Sequence, residues 1–421
     1  MAKRTRNRRA RPGASNSDSS QSDCNVSDLF HPPLRVILCG DAQFRQQDEY
    51  VESIRKAFHG STDESGYLAT GEDLGVDVRW FPQCPRQSPA VHLNGALHSF
   101  VVVLATARLA SNGGYRQWID EATRIVQESE GRHRLIVLAE SETTVESFVD
   151  VESRLPSAQF LSVYSLGEQA TRPAHFGLIV LNEASRVLSR KVSKTLSRQH
   201  LFISHAKKDG LPLAMSILHQ LDTLPQMTAF YDAGALQLTD DWRRDLENGI
   251  AASVVIVLRT DEYDRRPFCI QELRWADIHG CPIVIVEAGN RLSRSRTDLP
   301  MTNALQIVLR DGNLLRVIYA ALREGLRAVL LSRQVTHARD NKRLHGVFRV
   351  LHRLPSLASI RHVCEQLRSD VTVAGERSVV IYPEPILPTD VAESLSALAN
   401  HYLPGVRLLT LGQLATGMED E

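Results

Sequence analysis

A rhythm constrains this chain more than any single residue does: short, wholly apolar runs recur between segments whose apolar residues are spaced at three and four. LRVILCG, SFVVVLATA, RLIVLAE, HLFIS, SVVIVL and PIVIVE lack the polar alternation of a strand with one wet face. Strands apolar on both sides are buried on both sides, which parallel sheets achieve by laying crossover helices over each face. The spacers supply such helices. EYVESIRKAF puts Tyr50 or Val51, Ile54, Ala57 and Phe58 on one stripe. Trp242, Leu246 and Ile250 recur at i, i+4 and i+8 after an N-cap at Thr239 or Asp240. Alternating strands and helices predict an α/β fold with parallel sheets.

The rhythm runs twice. A first unit over residues 31–195 adds the strand VDVRWF and a helix through Gln117–Glu128, and ends in a helical stretch near Glu183–Ser193. A second unit, 196–335, adds a helix from Leu211 to Leu221, the strand TAFYD, and the helix FCIQELRWADIHG with Pro267 in its first turn and Gly280 at its end. The apolar helix 314–332 closes it. FVVVLATARLASNGGYRQWIDEA and SVVIVLRTDEYDRRPFCIQELRWA share a strand, a Thr two residues on, a polar loop and a helix, so an internal duplication is one reading. Convergent packing is the other. Residues 336–421 form a small α/β segment with two helical stretches, the strand RSVVIYP, a helix through Val391–His401 and the strand VRLLTLG. Residues 1–30 are a basic, then Ser-rich, disordered tail.

Lys and Arg number 49 against 49 Asp and Glu, so no whole-molecule field draws in nucleic acid or an anionic membrane. The basic leader (Lys3, Arg4, Arg6, Arg8, Arg9, Arg11) interleaves no aromatics, and no specific nucleic-acid partner is expected. Neither a bilayer-spanning apolar run nor a signal-peptide core is present. Six scattered cysteines show neither a disulfide framework nor zinc spacing, which predicts a reduced, cytoplasmic protein without a metal site.

In open α/β sheets ligands bind outside the carboxyl ends of the strands. The second unit places Ser204, His205, Lys207, Lys208 and Asp209 there, then Tyr231 and Asp232, then Arg259, Thr260 and Tyr263, with Glu272 in the following helix. Glu272 falls beside the apolar stripe of Ile270, Leu273 and Ala276.

The order FISHAKKD, FYDAGALQLTDDW, VVIVLRTDEYDRRPFCIQEL resembles the Toll/interleukin-1 receptor (TIR) domain in its bacterial form, over about 135 residues from Gln199 to Arg333. The resemblance implies tandem flavodoxin-like open parallel sheets of TIR type. It also implies an NAD+ glycohydrolase or ADP-ribosyl cyclase of antiphage defence that takes NAD+ as substrate, needs no further cofactor and assembles as a homo-oligomer through its TIR domains. By the same resemblance Glu272 is the catalytic carboxylate. Ser204, His205, Lys207, Thr260, Arg266 and Phe268 line the pocket, and Tyr231 and Asp232 open a mobile loop over it. Trp242 follows that loop, as a core or a ligand-contacting residue. One carboxylate suffices chemically, because nicotinamide leaves as an already cationic group. The alternative is a non-catalytic TIR scaffold that recruits partners.

Three departures from the family are visible. Arg266 stands where a Ser is usual, Phe268 where a Trp is usual, and QLTDDW replaces a Pro-Gly. In the first unit the position of Glu272 becomes Trp118, which suggests a unit without activity that regulates, senses a ligand or assembles. Cys269 reads as packing, His337, His345, His352 and His362 as structural, and Gly289–Asp298 as an exposed basic loop.

Overall fold

The computed structural model describes residues 32–40, 44–60, 73–83, 85–140, 144, 158–166, 168–189, 200–222, 228–230, 242–289, 304–309, 312–341, 344–370 and 377–415. The leader, Tyr231, Asp232, the Thr239 or Asp240 cap and most of the basic loop after Gly289 lie outside them.

Three sheets, all parallel, organise the chain. The first holds β1 (Leu34–Gly40), β2 (Asp77–Phe81), β3 (His98–Ala105), β4 (His133–Ala139) and β5 (Ala158–Ser162), in the order β2-β1-β3-β4-β5. The second holds β6 (His200–His205), β7 (Thr228–Phe230), β8 (Ser253–Arg259), β9 (Ile283–Glu287) and β10 (Leu305–Val308), in the order β7-β6-β8-β9-β10. Counted within each unit, both orders are 2-1-3-4-5, the flavodoxin-like arrangement. The third sheet is β11 (Val347–Val350), β12 (Ser378–Tyr382) and β13 (Arg407–Thr410).

The helices are α1 (Gln47–His59), α2 (Pro89–Leu93), α3 (Ala107–Ser111), α4 (Gly113–Glu128), α5 (Arg172–Ser189) and α6 (Leu211–Asp222). They continue with α7 (Trp242–Ala251), α8 (Pro267–Ile278), α9 (Leu314–Asp340), α10 (Leu357–Asp370), α11 (Thr389–Tyr402) and α12 (Leu411–Ala415). Among the described residues no helix is long and apolar enough to cross a membrane.

Strand alternation sorts the apolar residues into cores. Ile37, Val101, Val103, Leu135 and Val137 face outward onto Tyr115, Trp118, Ile119 and Val126 of α4. Their neighbours Val36, Leu38, Phe100, Val102 and Ile136 face the opposite way. In the second sheet Phe202, Val255, Val257 and Ile283 meet Leu246 of α7 and Leu273 of α8. Leu201, Ile203, Val254, Ile256 and Val284 join the same core as the inner face of the first sheet. Helices α1, α5, α6 and α9 therefore lie between the two sheets: α1 packs on β2 of the first, α6 and α9 on strands of the second, and α5 meets both α1 and α9. This explains the composition of α9, where Val317 through Leu322 are all buried: a helix apolar all round has no solvent face. At about 40 Å it outruns the two sheets, and Leu331, Val335 and Ala338 continue onto Val379 and Ile381 of the third.

Four buried arginines brace this arrangement, each donating to carbonyls at the carboxyl end of a helix, where the helix dipole favours a cation. Arg323 of α9 donates to Lys56 O (3.0 Å) and Ala57 O (2.5 Å) of α1. Arg333 of α9 donates to Leu188 O of α5 (2.5 Å). Arg35 donates to His92 O of α2 (2.9 Å), and Arg353 donates to Asp277 O of α8 (3.3 Å) while pairing with the Asp277 carboxylate.

Three strands are missing from the sequence reading. The edge strands β5 and β10 are short, and β11 falls where a helical stretch is expected. There the β-branched and aromatic VFRV pairs with β12.

Candidate functional site

The carboxyl ends of β6 and β8 lie side by side, since the register pairs Ser204 with Val257 and His205 with Leu258. The turn after β6 and the loop after β8 are tied by Asp209. Thr260 Oγ1 donates to Asp209 Oδ1 (2.7 Å) and Glu262 N to Oδ2 (3.0 Å). Glu262 in turn gathers cations: Lys208 at 3.2 Å, Arg265 at 3.2 Å and Arg266 at 3.8 Å. Lys208, above all, holds the Glu262 carboxyl below its ordinary range.

Beyond this brace opens a cleft of about 730 Å³. Buried Cys269 and Glu272 form its floor, and Lys207, Lys208 and Arg266 bring positive charge to it. The rings of Trp242 and Phe268 stand 5.7 Å apart at 48°, with Phe268 54% exposed. An apolar ring lying in water at the mouth of a cleft is surface available to a ligand. Helix α8 begins at this cleft with Pro267, so its amino end adds to the positive field.

Glu272 is fixed from behind. Ser204 Oγ donates to Glu272 Oε2 (2.5 Å) and contacts Tyr263 Oη (2.8 Å); Tyr263 Oη donates to Cys269 O (3.1 Å). The two hydroxyls bring two hydrogens to three contacts, so the Tyr263 hydrogen is shared between Ser204 Oγ and Cys269 O. Burial, reinforced by the nearby Glu272, pushes the Tyr263 hydroxyl well above its ordinary range and keeps it protonated. His205 Nδ1 donates to Ile203 O (3.2 Å), and Cys269 Sγ donates to His205 O (3.4 Å).

Of the residues singled out in the sequence, His205, Lys207, Trp242, Arg266, Phe268 and Glu272 come together around the cleft. Ser204 sits behind it as the anchor of Glu272. Thr260 is committed to Asp209 instead. Lys208, Asp209 and Tyr263 were named among the strand-end residues but given no role in the site; nothing in their spacing marks the brace that joins the two loops. In the first sheet Trp118 occupies the place of Glu272, its Nε1 donating to Gln87 O (3.1 Å), and Tyr115 Oη donates to Gly40 O (2.6 Å). Among the described residues no group of three His, Cys, Asp or Glu side chains stands ready to hold a metal ion.

No protein-family model matches this chain, and no curated protein matches it. Solved structures do. The tagatose-6-phosphate ketose/aldose isomerase from Escherichia coli is 13% identical, with a TM-score of 0.21 over 72% of this chain and 86% of its own. The C-terminal domain of glucosamine-fructose-6-phosphate aminotransferase from Francisella tularensis is 10% identical, with a TM-score of 0.20 over 73% and 87%. A hypothetical protein from Thermus thermophilus is 11% identical, with a TM-score of 0.20 over 76% and 86%. At such scores the likeness assigns no activity.

These results correct the TIR expectation, because none of these similar structures is described as a TIR protein or an NAD+ hydrolase and no family model supports one. The NAD+ glycohydrolase or cyclase activity, the TIR scaffold alternative, the role in antiphage defence, NAD+ as partner and self-association through TIR domains fall with it. The physical reason is that each motif has a packing explanation. FIS and VVIVL are interior strands, Cys269 and Leu273 are core, and Tyr263, Ser204 and Glu272 form one buried network.

Proposed function

We propose that the carboxyl edge of the second sheet, within the 196–335 unit, binds a small phosphorylated and hydroxylated molecule such as a sugar phosphate. One observation carries this reading: a single cleft joins three cationic side chains and a helix amino end to an aromatic pair and a buried carboxylate. Lys207, Lys208 and Arg266 suit a phosphate. Trp242 and Phe268 offer apolar ring faces to the carbon skeleton, and Glu272 accepts from hydroxyl groups. His205 adds a polar ring to the same wall. The first unit, 31–195, carries Trp118 in place of the acid and serves this site as a scaffold. The buried thiols of Cys39, Cys269, Cys281 and Cys364 support a reducing compartment, the cytoplasm.

Calorimetric titration tests the reading with fructose 6-phosphate, fructose and inorganic phosphate. The sugar phosphate binds most tightly, Lys207→Ala and Arg266→Ala each weaken it about tenfold, and Phe268→Ala weakens the sugar phosphate more than inorganic phosphate. Equal, unsaturable responses to all three would end the proposal.

A further inference from the structure

We propose a second, separate anion site at the amino edge of the first sheet, where Arg333 of α9 meets the starts of β3 and β4, and that it takes a phosphate or phosphate monoester. A cleft of about 440 Å³ opens there, away from the carboxyl edges where the other cleft lies. Its wall includes Arg333, Arg132, His98, His133, His337 and Asp340.

Arg333 points to the ligand class. The residue is only 8% exposed; its Nε donates to Leu188 O, but its Nη2 is buried with no hydrogen-bond partner among the described residues. A buried guanidinium donor without an acceptor is costly, and a bound oxyanion supplies the acceptor. The rest of the wall is donor-rich. Arg132 is exposed at the cleft. His133 Nδ1 accepts from Ser99 N (3.1 Å), while burial and then Arg132 push its pKa down to about 4. Its ring is therefore neutral at pH 7 with the hydrogen on Nε2, a donor. His98 Nδ1 donates to Arg132 O (3.0 Å), which fixes that ring's orientation. The acidic member, Asp340, is exposed and pairs with Arg339 (3.2 Å), so it does not answer Arg333. Two guanidiniums and a neutral imidazole N–H match an anion with several oxygens, and the room exceeds what a bare phosphate fills.

The occupant would tie α9 and, through Leu188, α5 to the first residues of β3 and β4. Its binding therefore stabilises the junction of the two sheets and is read as a shift in unfolding.

The test uses the full chain with inorganic phosphate and glycerol 3-phosphate, followed by calorimetry and thermal unfolding. A Lys207→Ala/Arg266→Ala background weakens phosphate binding in the other cleft about a hundredfold. In it one binding event persists, and adding Arg132→Ala weakens that event about tenfold, the loss of one charge-assisted contact. Arg333→Gln abolishes it. Arg132 is exposed, so its replacement tests the site even if Arg333→Gln fails to fold, and circular dichroism identifies that case. Tighter binding of glycerol 3-phosphate than of phosphate identifies a monoester site, and the reverse a free-phosphate site. The proposal is overturned if binding disappears with Lys207→Ala/Arg266→Ala alone, or if Arg132→Ala leaves it unchanged. Failure of the sugar-phosphate reading would look different: Lys207→Ala/Arg266→Ala would then bind phosphate as the wild type does.

Discussion

Ser204, one residue from the end of β6, donates to the carboxylate of Glu272 in α8 at 2.5 Å, joining residues 68 apart in the chain. The bond sets the floor of the cleft and couples its chemistry to its stability. Glu272→Gln retains an acceptor for Ser204 and changes stability little. Glu272→Ala removes that acceptor, leaves Ser204 to donate to Tyr263 Oη, and lowers unfolding free energy by about 1 kcal/mol. Urea denaturation compares the two; equal loss in both would show that the carboxylate charge, rather than the hydrogen bond, matters there.

Gly177 lies where α5 crosses α1 and α9. A Cβ there would come within 2.1 Å of Tyr319 Oη and 2.6 Å of Ser53 Oγ. Both hydroxyls are engaged, Tyr319 donating to Ala174 O (2.9 Å) and Ser53 to Pro173 O (2.6 Å), so neither yields freely. Helix propensity alone favours Ala by about 1 kcal/mol. Sterics reverse the sign: Gly177→Ala destabilises by about 2 kcal/mol. Tyr319→Phe in that background recovers part of the loss, a non-additivity that a double-mutant cycle detects.

Arg323 is 1% exposed and answers two carbonyls of α1 from a helix more than 250 residues away, the separations being 267 and 266. Burial lowers its pKa to about 10, so it stays charged at neutral pH. Arg323→Met leaves Ala57 O without this donor and Lys56 O with Gly60 N alone, and costs about 1–3 kcal/mol. Arg323→Lys does not restore it, because one ammonium lacks the reach and fork geometry of the guanidinium. Hydrogen exchange in the last turn of α1 rises first.

Acid destabilises the protein through buried neutral histidines. Ser332 Oγ gives its hydrogen to Ala328 O (2.9 Å), so it accepts from His352 Nε2 (3.1 Å), and burial lowers the His352 pKa to about 4. The unfolded chain takes a proton near pH 6.5, the folded chain only near 4. Stability is therefore full above pH 6.5 and is lost as pH falls toward 4, with His352 contributing about 3 kcal/mol. His133, also lowered to about 4, acts in the same direction. Midpoints of urea unfolding from pH 7.5 to 4.5 fall accordingly, and His352→Gln flattens the profile.

The sequence announces its sheets because an interior parallel strand must be apolar on both faces: β1, β3, β4, β6, β8 and β9 all stand out as runs. Edge strands owe less to burial, and so LQIV of β10 and VFRV of β11 carry no such mark. Residues near strand ends were legible for the same topological reason, which brought His205, Lys207 and Glu272 to one cleft; Arg266 beside them came only from the family resemblance. Illegible were the partners. Asp209 binding Thr260, Tyr263 sharing its hydrogen with Ser204, and Arg333 beside His133 join residues with no periodic relation. Family-like motifs misled where packing alone accounts for them.

The placement of α9 has a consequence for descent. Its residues Val317–Leu322 are enclosed by helices of both sheets, and its arginines answer α1 and α5. Neither half of the chain can drift freely, be lost, or be exchanged for a relative's copy, because a change in one is felt across the shared helix by the other. If the two sheets arose from one ancestor, they have since become mutually dependent, and a gene encoding either alone would specify a protein with an unfinished side.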